Sequence, residues 1–323
     1  MHILVLAWLK GKPVGVPIGH GGIERMSATL TRELLRQGHK VTLVAPPGSA
    51  IEGATVVETD DFTQALETIR FSRADVVLDN SCWSLDSPVR HPLPMRAVSI
   101  THVNHAIGWS QNVCYLSCSQ RTQHGLQLGR DLSKAPVIRV PTDPALKPLG
   151  LARDTFLLYL GFVAEWKGVH HAAEVAQELG KELIVAGPAA GTYAEQLRAM
   201  PNVKMIGEVQ DPLRSHLLEQ ASAVMCLHNN SNGWIEPGAG IIGEAGAFNT
   251  PVAAFPNGVL GEIVVTGDNG WLANDVKSMV RLMRDTPTLP DAGRLAREEW
   301  NAEKITQQYV TLLEQVCNGL TWN

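Results

Sequence analysis

The 323-residue sequence predicts an α/β protein with two parallel-sheet halves. Three observations predict it. Short β-branched runs alternate with amphipathic stretches from end to end, the sequence form of repeated βαβ units. A Pro-rich segment, Pro141-Thr142-Asp143-Pro144-Ala145-Leu146-Lys147-Pro148, breaks the alternation once, and proline at that density fits neither a helix interior nor a central strand. Glycine-rich turns stand where strand-like runs give way to helix-like ones.

In the first half, strands are expected at Ile3–Trp8, Lys40–Ala45, Asp75–Leu78, Ala97–His102, Val113–Cys118 and Val137–Val140. Between the first two, Ile23–Gln37 places Met26, Leu30, Leu34 and Leu35 on one helical face and ends at Gly38. Residues 1–148 thus read as a Rossmann-like domain with the Pro-rich segment as its exit linker. The alternation restarts with the strand Thr155–Val163, the helix Gly168–Leu179 and the strands Glu182–Ala186 and Val203–Ile206. The helix Pro212–Gln220 and the strands Ala223–Leu227 and Pro251–Phe255 follow, giving a second Rossmann-like domain over 149–323. From Asp291 to Val316 runs a long charged amphipathic stretch in which Leu295, Trp300, Ile305, Tyr309 and Leu313 can pack on either half, so a helix here can cross back to the first.

A chain 45% hydrophobic and 18% charged can bury two sizeable cores. The net charge of −5 is uneven: 15 Lys/Arg stand against 12 Asp/Glu in residues 1–150, and 12 against 20 thereafter. No basic run accompanies the first half and the acidic second half repels polyanions, so nucleic acid is excluded as a partner, while peripheral contact with a membrane or anionic acceptor stays open. Cys82, Cys114, Cys118, Cys226 and Cys317 contain no CxxC pair, against both a disulfide framework and a zinc site, and are expected to be reduced and mostly buried. Met1-His2-Ile3-Leu4-Val5-Leu6 lacks the basic flank of a signal peptide, and no apolar run reaches the roughly 18 residues of a membrane span. A cytoplasmic location is expected.

Three segments carry chemistry. His20-Gly21-Gly22-Ile23-Glu24-Arg25 opens the first helix, where backbone N–H groups and the helix dipole favour an anion. It is not a GxGxxG fingerprint, and a lone Gly pair reads equally as a plain turn. In Leu160-Gly161-Phe162-Val163-Ala164-Glu165-Trp166-Lys167-Gly168-Val169 a strand again feeds a helix, and Lys167 there can pair with a diphosphate or be an ordinary surface lysine. The third, Trp234-Ile235-Glu236-Pro237-Gly238-Ala239-Gly240-Ile241-Ile242-Gly243-Glu244-Ala245-Gly246-Ala247, sets Glu236 and Glu244 about two helical turns apart around a glycine-rich helix start, near the expected helix Gly240–Phe248. Carboxylates can accept hydrogen bonds from sugar hydroxyls while the amides face phosphates; each glutamate alone would be solvated or helix-capping.

Together, Gly21-Gly22, Gly161…Lys167-Gly168, Glu236-x7-Glu244 with Pro237, Thr250-Pro251-Val252 and Pro256-Asn257-Gly258-Val259-Leu260-Gly261-Glu262 resemble the retaining glycosyltransferases of the GT-B fold, family 4 (glycosyl transferases group 1), along most of the chain. The resemblance implies two facing Rossmann-like domains with a cleft between them, an acceptor side in the first and a nucleotide-sugar side in the second. It implies no cofactor and no required metal, with a UDP- or GDP-linked sugar as co-substrate. Carried over by position, His102, Lys167 and Glu236 are the catalytic group. Lys167 meets the donor diphosphate, Glu236 with the amides of Ala239, Gly240 and Ile241 holds the sugar or its phosphates, and Glu244 takes the ribose hydroxyls. Glu208 and Val209 lie beside the nucleobase, and Gly21 and Gly22 approach the diphosphate. His102 is favoured over His105 because it ends a strand.

The chain departs from the family in carrying Gly161-Phe162 where Gly-Arg is usual, leaving Arg25 or Arg139 to supply a second cation, and Pro141-Thr142-Asp143 where an Asn-Gly-Val-Asp turn is usual. The implied reaction moves a hexosyl-type group to a hydroxyl of a small molecule, natural product or glycan by a front-side, oxocarbenium-like transfer. No Ser/His/Asp triad or reactive cysteine offers another route. A nucleotide-sugar epimerase on the same fold and a non-catalytic sugar-nucleotide binding protein stay open as alternatives; an NAD-type dehydrogenase lacks its fingerprint. Trp83, Trp109 and Trp234 are aromatic faces for an acceptor or half-buried packing residues. The oligomeric state is not legible.

Overall fold

The computed structural model describes residues 1–16, 19–81, 93–106, 112–230 and 232–322. They divide into two compact units, Met1–Asp143 with Asn301–Asn323, and Pro144–Trp300. The sequence expectations at Cys82, Trp83 and Trp109 lie outside the described residues.

Unit 1 contains β1 (His2–Ala7), α1 (Gly22–Arg36), β2 (Lys40–Ala45), β3 (Thr55–Glu58), α2 (Phe62–Phe71), β4 (Val76–Asn80), β5 (Ala97–Ile100), β6 (Val113–Cys114) and α3 (Cys118–Leu128). Its sheet is parallel in the order β3-β2-β1-β4-β5-β6, so the winding direction reverses between β1 and β4. In such sheets ligands bind at the carboxyl ends of the strands flanking the reversal. Here those ends lead to the Gly21-Gly22 turn and to Asn80.

Unit 2 contains β7 (Leu157–Leu160), a 3-10 turn (Glu165–Lys167), α4 (Val169–Glu178), β8 (Leu183–Ala186), α5 (Gly191–Arg198), β9 (Val203–Gly207), α6 (Leu213–Gln220) and β10 (Ala223–Cys226). It continues with α7 (Gly240–Ala247), β11 (Val252–Ala254), α8 (Leu260–Ile263), β12 (Gly270–Leu272), α9 (Val276–Asp285) and α10 (Arg294–Glu298). The parallel order β12-β11-β10-β7-β8-β9 puts the reversal between β7 and β10, and an apolar core forms on each face of the sheet.

The chain then re-enters unit 1 with α11 (Ala302–Cys317), whose Ile305, Tyr309, Leu313 and Val316 are buried in one core with Ile3, Leu30, Leu34 and Val98. Thr142 and Asn301 form an isolated parallel bridge, so the segments by which the chain leaves and rejoins this unit run side by side.

Several expected boundaries are corrected. Val137–Val140 is no strand: Val137 makes a single bridge to Tyr115. The run expected as Val113–Cys118 ends as a strand at Cys114, because Ser117 turns to cap α3, its hydroxyl accepting the Gln120 amide at 3.1 Å. The strand expected to reach His102 ends at Ile100. The stretch Asp291–Val316 is broken into α10 and α11 because the Asn301 side chain caps the second helix, accepting the Lys304 amide at 2.9 Å. Cys114 and Cys226 are buried, whereas Cys118 is exposed and Cys317 half-buried, and none of these four is in a disulfide. Among the described residues no helix is long and apolar enough to cross a membrane.

Candidate functional site

In unit 1, the expected residues gather around the start of α1. Gly21 takes φ +152° at the N-cap with no side-chain cap, so the first-turn amides keep their donors for an incoming anion. A side chain built at Gly22 would meet nothing within 4 Å, which leaves room for a ligand. Asn80, at the end of β4, ties this turn to the expected histidine. Its Oδ1 lies 2.6 Å from His102 Nε2 and its amide donates to Ser27 Oγ of α1 at 2.7 Å. The acceptor Oδ1 fixes His102 as the Nε2–H tautomer and leaves Nδ1 available. Burial lowers the His102 pKa to about 4, so the ring is neutral at neutral pH. His105 is exposed. Arg25 and Arg139 donate to the carbonyls of Gly19 and Leu116.

His124 of α3 is the second strongly depressed histidine, its ring edge-on to Tyr115 and its pKa lowered to about 4, by burial first. A histidine that titrates near 6.5 when unfolded but about 4 when folded gives the unfolded state more bound protons in between. Stability is therefore expected to be fully present above about pH 6.5 and to fall as the pH drops toward 4. Thermal melts from pH 7.5 to 4.5 measure this. His124→Gln should flatten the slope; an unchanged slope in that variant would refute the assignment.

In unit 2, the strands at the reversal lead into the Lys167 turn and to His228. After β7, the 3-10 turn carries Lys167 and closes on Gly168 at φ +65°. A side chain at Gly168 would lie 1.8 Å from the Leu227 carbonyl oxygen, so only glycine lets this turn approach the end of β10. Lys167 Nζ thereby reaches Glu236 Oε2 at 2.7 Å and sits 3.9 Å from the Trp234 ring centroid. His228, two residues past β10, places Nδ1 3.0 Å from the same oxygen. The other carboxylate oxygen accepts the Ala239 amide at 3.2 Å.

The turn after β11 holds Glu236 by its backbone. Asn257 Oδ1 accepts the Glu236 amide at 2.9 Å, the Val259 amide donates to the Glu236 carbonyl at 2.8 Å, and a side chain at Gly258 would lie 2.2 Å from that carbonyl oxygen. Burial pushes the Glu236 carboxyl up, but Lys167 and His228 outweigh it and hold it well below the usual carboxylate range. Burial and Lys167 lower the His228 pKa against the opposing pull of Glu236.

Ala239 adopts φ +43° at the N-cap of α7 with no side-chain cap, a left-handed conformation uncommon for a residue with a side chain. The amides of Gly240 and Ile241 open this helix as an anion-binding end. Glu244, one residue into its second turn, forms a close ion pair with Arg214 of α6. At the end of β9, Glu208 is exposed and Val209 is buried in the core. Phe162 is 43% exposed, with its ring tilted toward Trp166 at 6.2 Å and its carbonyl accepting the Tyr159 hydroxyl.

The structure thus brings Lys167, Glu236 and Ala239 into one cluster within unit 2, and His102 beside the α1 turn within unit 1. Sequence reasoning missed Asn80, Arg214 and His228; of these Asn80 and His228, each at or just past the end of a strand that flanks a sheet reversal, carried a signal that could have exposed them.

The profile of the family described as glycosyl transferases group 1 matches residues 146–290. The solved structure of AviGT4, a glycosyltransferase involved in avilamycin A biosynthesis, is 30% identical with a TM-score of 0.86, and both chains are covered in full. The chain belongs to the glycosyltransferases. The fold of this glycosyltransferase is GT-B, and more distant structures share it. Anabaena HepE, solved with UDP and glucose, has a TM-score of 0.72 at 18% identity, covering 98% of this chain and 100% of its own. Sucrose-phosphate synthase from Thermosynechococcus elongatus has a TM-score of 0.73 at 15% identity, with 99% and 100% covered. Among curated proteins none matches the sequence.

Proposed function

We propose that the protein is a family 4 enzyme that transfers a hexosyl-type group from a UDP- or GDP-linked sugar to an acceptor hydroxyl with retention and without a metal ion. The observation that carries this reading is the Lys167–Glu236 pair at 2.7 Å beside the uncapped start of α7. Such an arrangement offers a cation and helix N–H groups to a diphosphate and a carboxylate to sugar hydroxyls.

In this reading Lys167 stabilises the charge that develops on the departing diphosphate, with Glu236 and the amides of Ala239, Gly240 and Ile241 fixing the sugar. Glu244 keeps Arg214 on Oε2 and offers its other carboxylate oxygen to the ribose hydroxyls, and Glu208 and Val209 border the base. Unit 2 is the donor side. Unit 1 is the acceptor side, with Gly21 and Gly22 at the diphosphate and His102 presenting a neutral ring, held by Asn80, to the transferred sugar. The leaving phosphate oxygen takes the acceptor proton on the face it vacates, which preserves the anomeric configuration. The 30% identity to a glycosyltransferase of avilamycin A biosynthesis favours a natural-product acceptor.

Thermal melts with UDP-, GDP-, dTDP- and ADP-glucose test the donor site. One nucleotide class is expected to raise Tm by roughly 5–10 °C at a hundredfold excess over Kd. NMR of the product anomeric centre and assays with a chelator then test retention and metal independence. No shift with any nucleotide sugar would sink the proposal; a shift without transfer to any of a broad acceptor panel would favour a binding protein.

A further inference from the structure

Glu236 Oε2 is contacted from two directions, by Lys167 Nζ at 2.7 Å and by His228 Nδ1 at 3.0 Å. Glu236 and His228 are nearly closed to solvent, with 10% and 7% of their side chains exposed, so water has little access to replace a lost partner. The Trp234 ring, 3.9 Å from Lys167 Nζ and 5.7 Å from the His228 ring centroid, shields the same place.

We propose that His228 is a positioning residue that takes over the Glu236 carboxylate when the donor diphosphate draws Lys167 away, accepting a proton from solvent as it does so. Donor binding is thereby coupled to proton uptake. The inference rests on the reading above that Lys167 meets the diphosphate, and it adds a residue and a proton to it.

The charge count dictates the direction. With Lys167 in place, one cation already balances Glu236, and a second on the buried imidazole would meet a like charge. A diphosphate brings negative charge to Lys167 and leaves the Glu236 charge without its cation in a dry setting, where sugar hydroxyls supply hydrogen bonds but no compensating charge. Both changes favour an imidazolium that directs an Nδ1–H at Oε2, 3.0 Å away. The other charged groups near His228 come from α4, with His171 and Glu174, and from the start of α9, with Asp275 and Lys277, across a pocket of about 650 Å³. Two carboxylates there face one lysine and an imidazole. Buried Cys226 and Tyr159, packed beneath, have their pKa values pushed up and stay neutral. The group whose surroundings change on binding is therefore His228, and the cause is the movement of Lys167.

Calorimetric titration with whichever of UDP-, GDP-, dTDP- or ADP-glucose binds, in buffers of different ionisation enthalpy, counts the protons; the diphosphodiester of these donors does not titrate near neutral pH. At pH 7.5 the wild type is expected to take up roughly half to one proton, and its affinity to fall by up to ~10-fold per pH unit above the free-state pKa of His228. His228→Asn keeps an N–H donor near the Nδ1 position but cannot gain a charge. It should bind with no proton uptake and a flat pH profile. A readout that needs no variant is 15N-histidine NMR, in which one ring should convert from neutral to imidazolium on saturation. Binding without proton uptake in the wild type, undiminished uptake in His228→Asn, or no ring conversion would overturn the proposal while leaving the donor site intact. Absence of binding by all four donors would overturn the donor reading and this inference with it.

Discussion

Replacing Lys167 with alanine is expected to lower kcat by ~10²–10³-fold and to destabilise the protein by roughly 3–5 kcal/mol. The first figure is the usual cost of removing one preorganised charge-stabilising group from the transition state. The second follows because Glu236, with 10% of its side chain exposed, loses its nearest cation while still buried. His228 and the Ala239 amide are then its remaining partners. The two effects separate in Lys167→Ala/Glu236→Gln, which no longer buries a charge: stability should return by most of the loss and activity should not. Denaturant titration and initial-rate assays on the three proteins decide it, and wild-type turnover in Lys167→Ala would remove the lysine from the mechanism.

Glu244→Ala should be nearly as damaging, for a reason with no counterpart in the sequence. Arg214 has 3% of its side chain exposed, its Nη2 meets Glu244, and its Nε and Nη1 find no hydrogen-bond partner among the described residues. Removing Glu244 strands a buried guanidinium, a change worth about 3–5 kcal/mol. Arg214→Met in the Glu244→Ala background removes the stranded charge and should recover most of that stability. Donor affinity should stay low in both, since the ribose hydroxyls lose their acceptor either way. Equal donor affinity in the wild type and the double variant would leave Glu244 a purely structural partner of Arg214.

The contrast between these two glutamates shows where a sequence informs and where it stops. Glu236 and Lys167 were legible as candidates because each stands in a glycine-rich turn: Gly168 follows Lys167 where any side chain would collide with the Leu227 carbonyl, and Gly238 and Gly240 follow Glu236 at the start of α7. The alternation of strands and helices was legible for the same local reason, through periodicity and caps. The edge strands β3 and β12 escaped the pattern: Thr55–Glu58 has no fully buried position and Gly270–Leu272 opens on a glycine. The pairings of Arg214 with Glu244, and of Asn80 with His102, join separate elements of the fold through single polar atoms. Nothing in the local composition of either partner announces them. His228 falls between: its place after β10 could be read, but its contact with Glu236 depends on how the loop to Trp234 folds back.

The return of α11 to the first unit sets an order of assembly during synthesis. Residues 144–300 form a contiguous unit, whereas the core around β1 and α1 includes Ile305, Tyr309, Leu313 and Val316. A ribosome releases the whole of the second unit before it releases the helix that completes the first. The segment made earliest must wait, its apolar surface partly uncovered, until a complete folded insert has left the exit tunnel, and domains generally fold as units as they emerge. For this chain the first unit to begin is the last to finish.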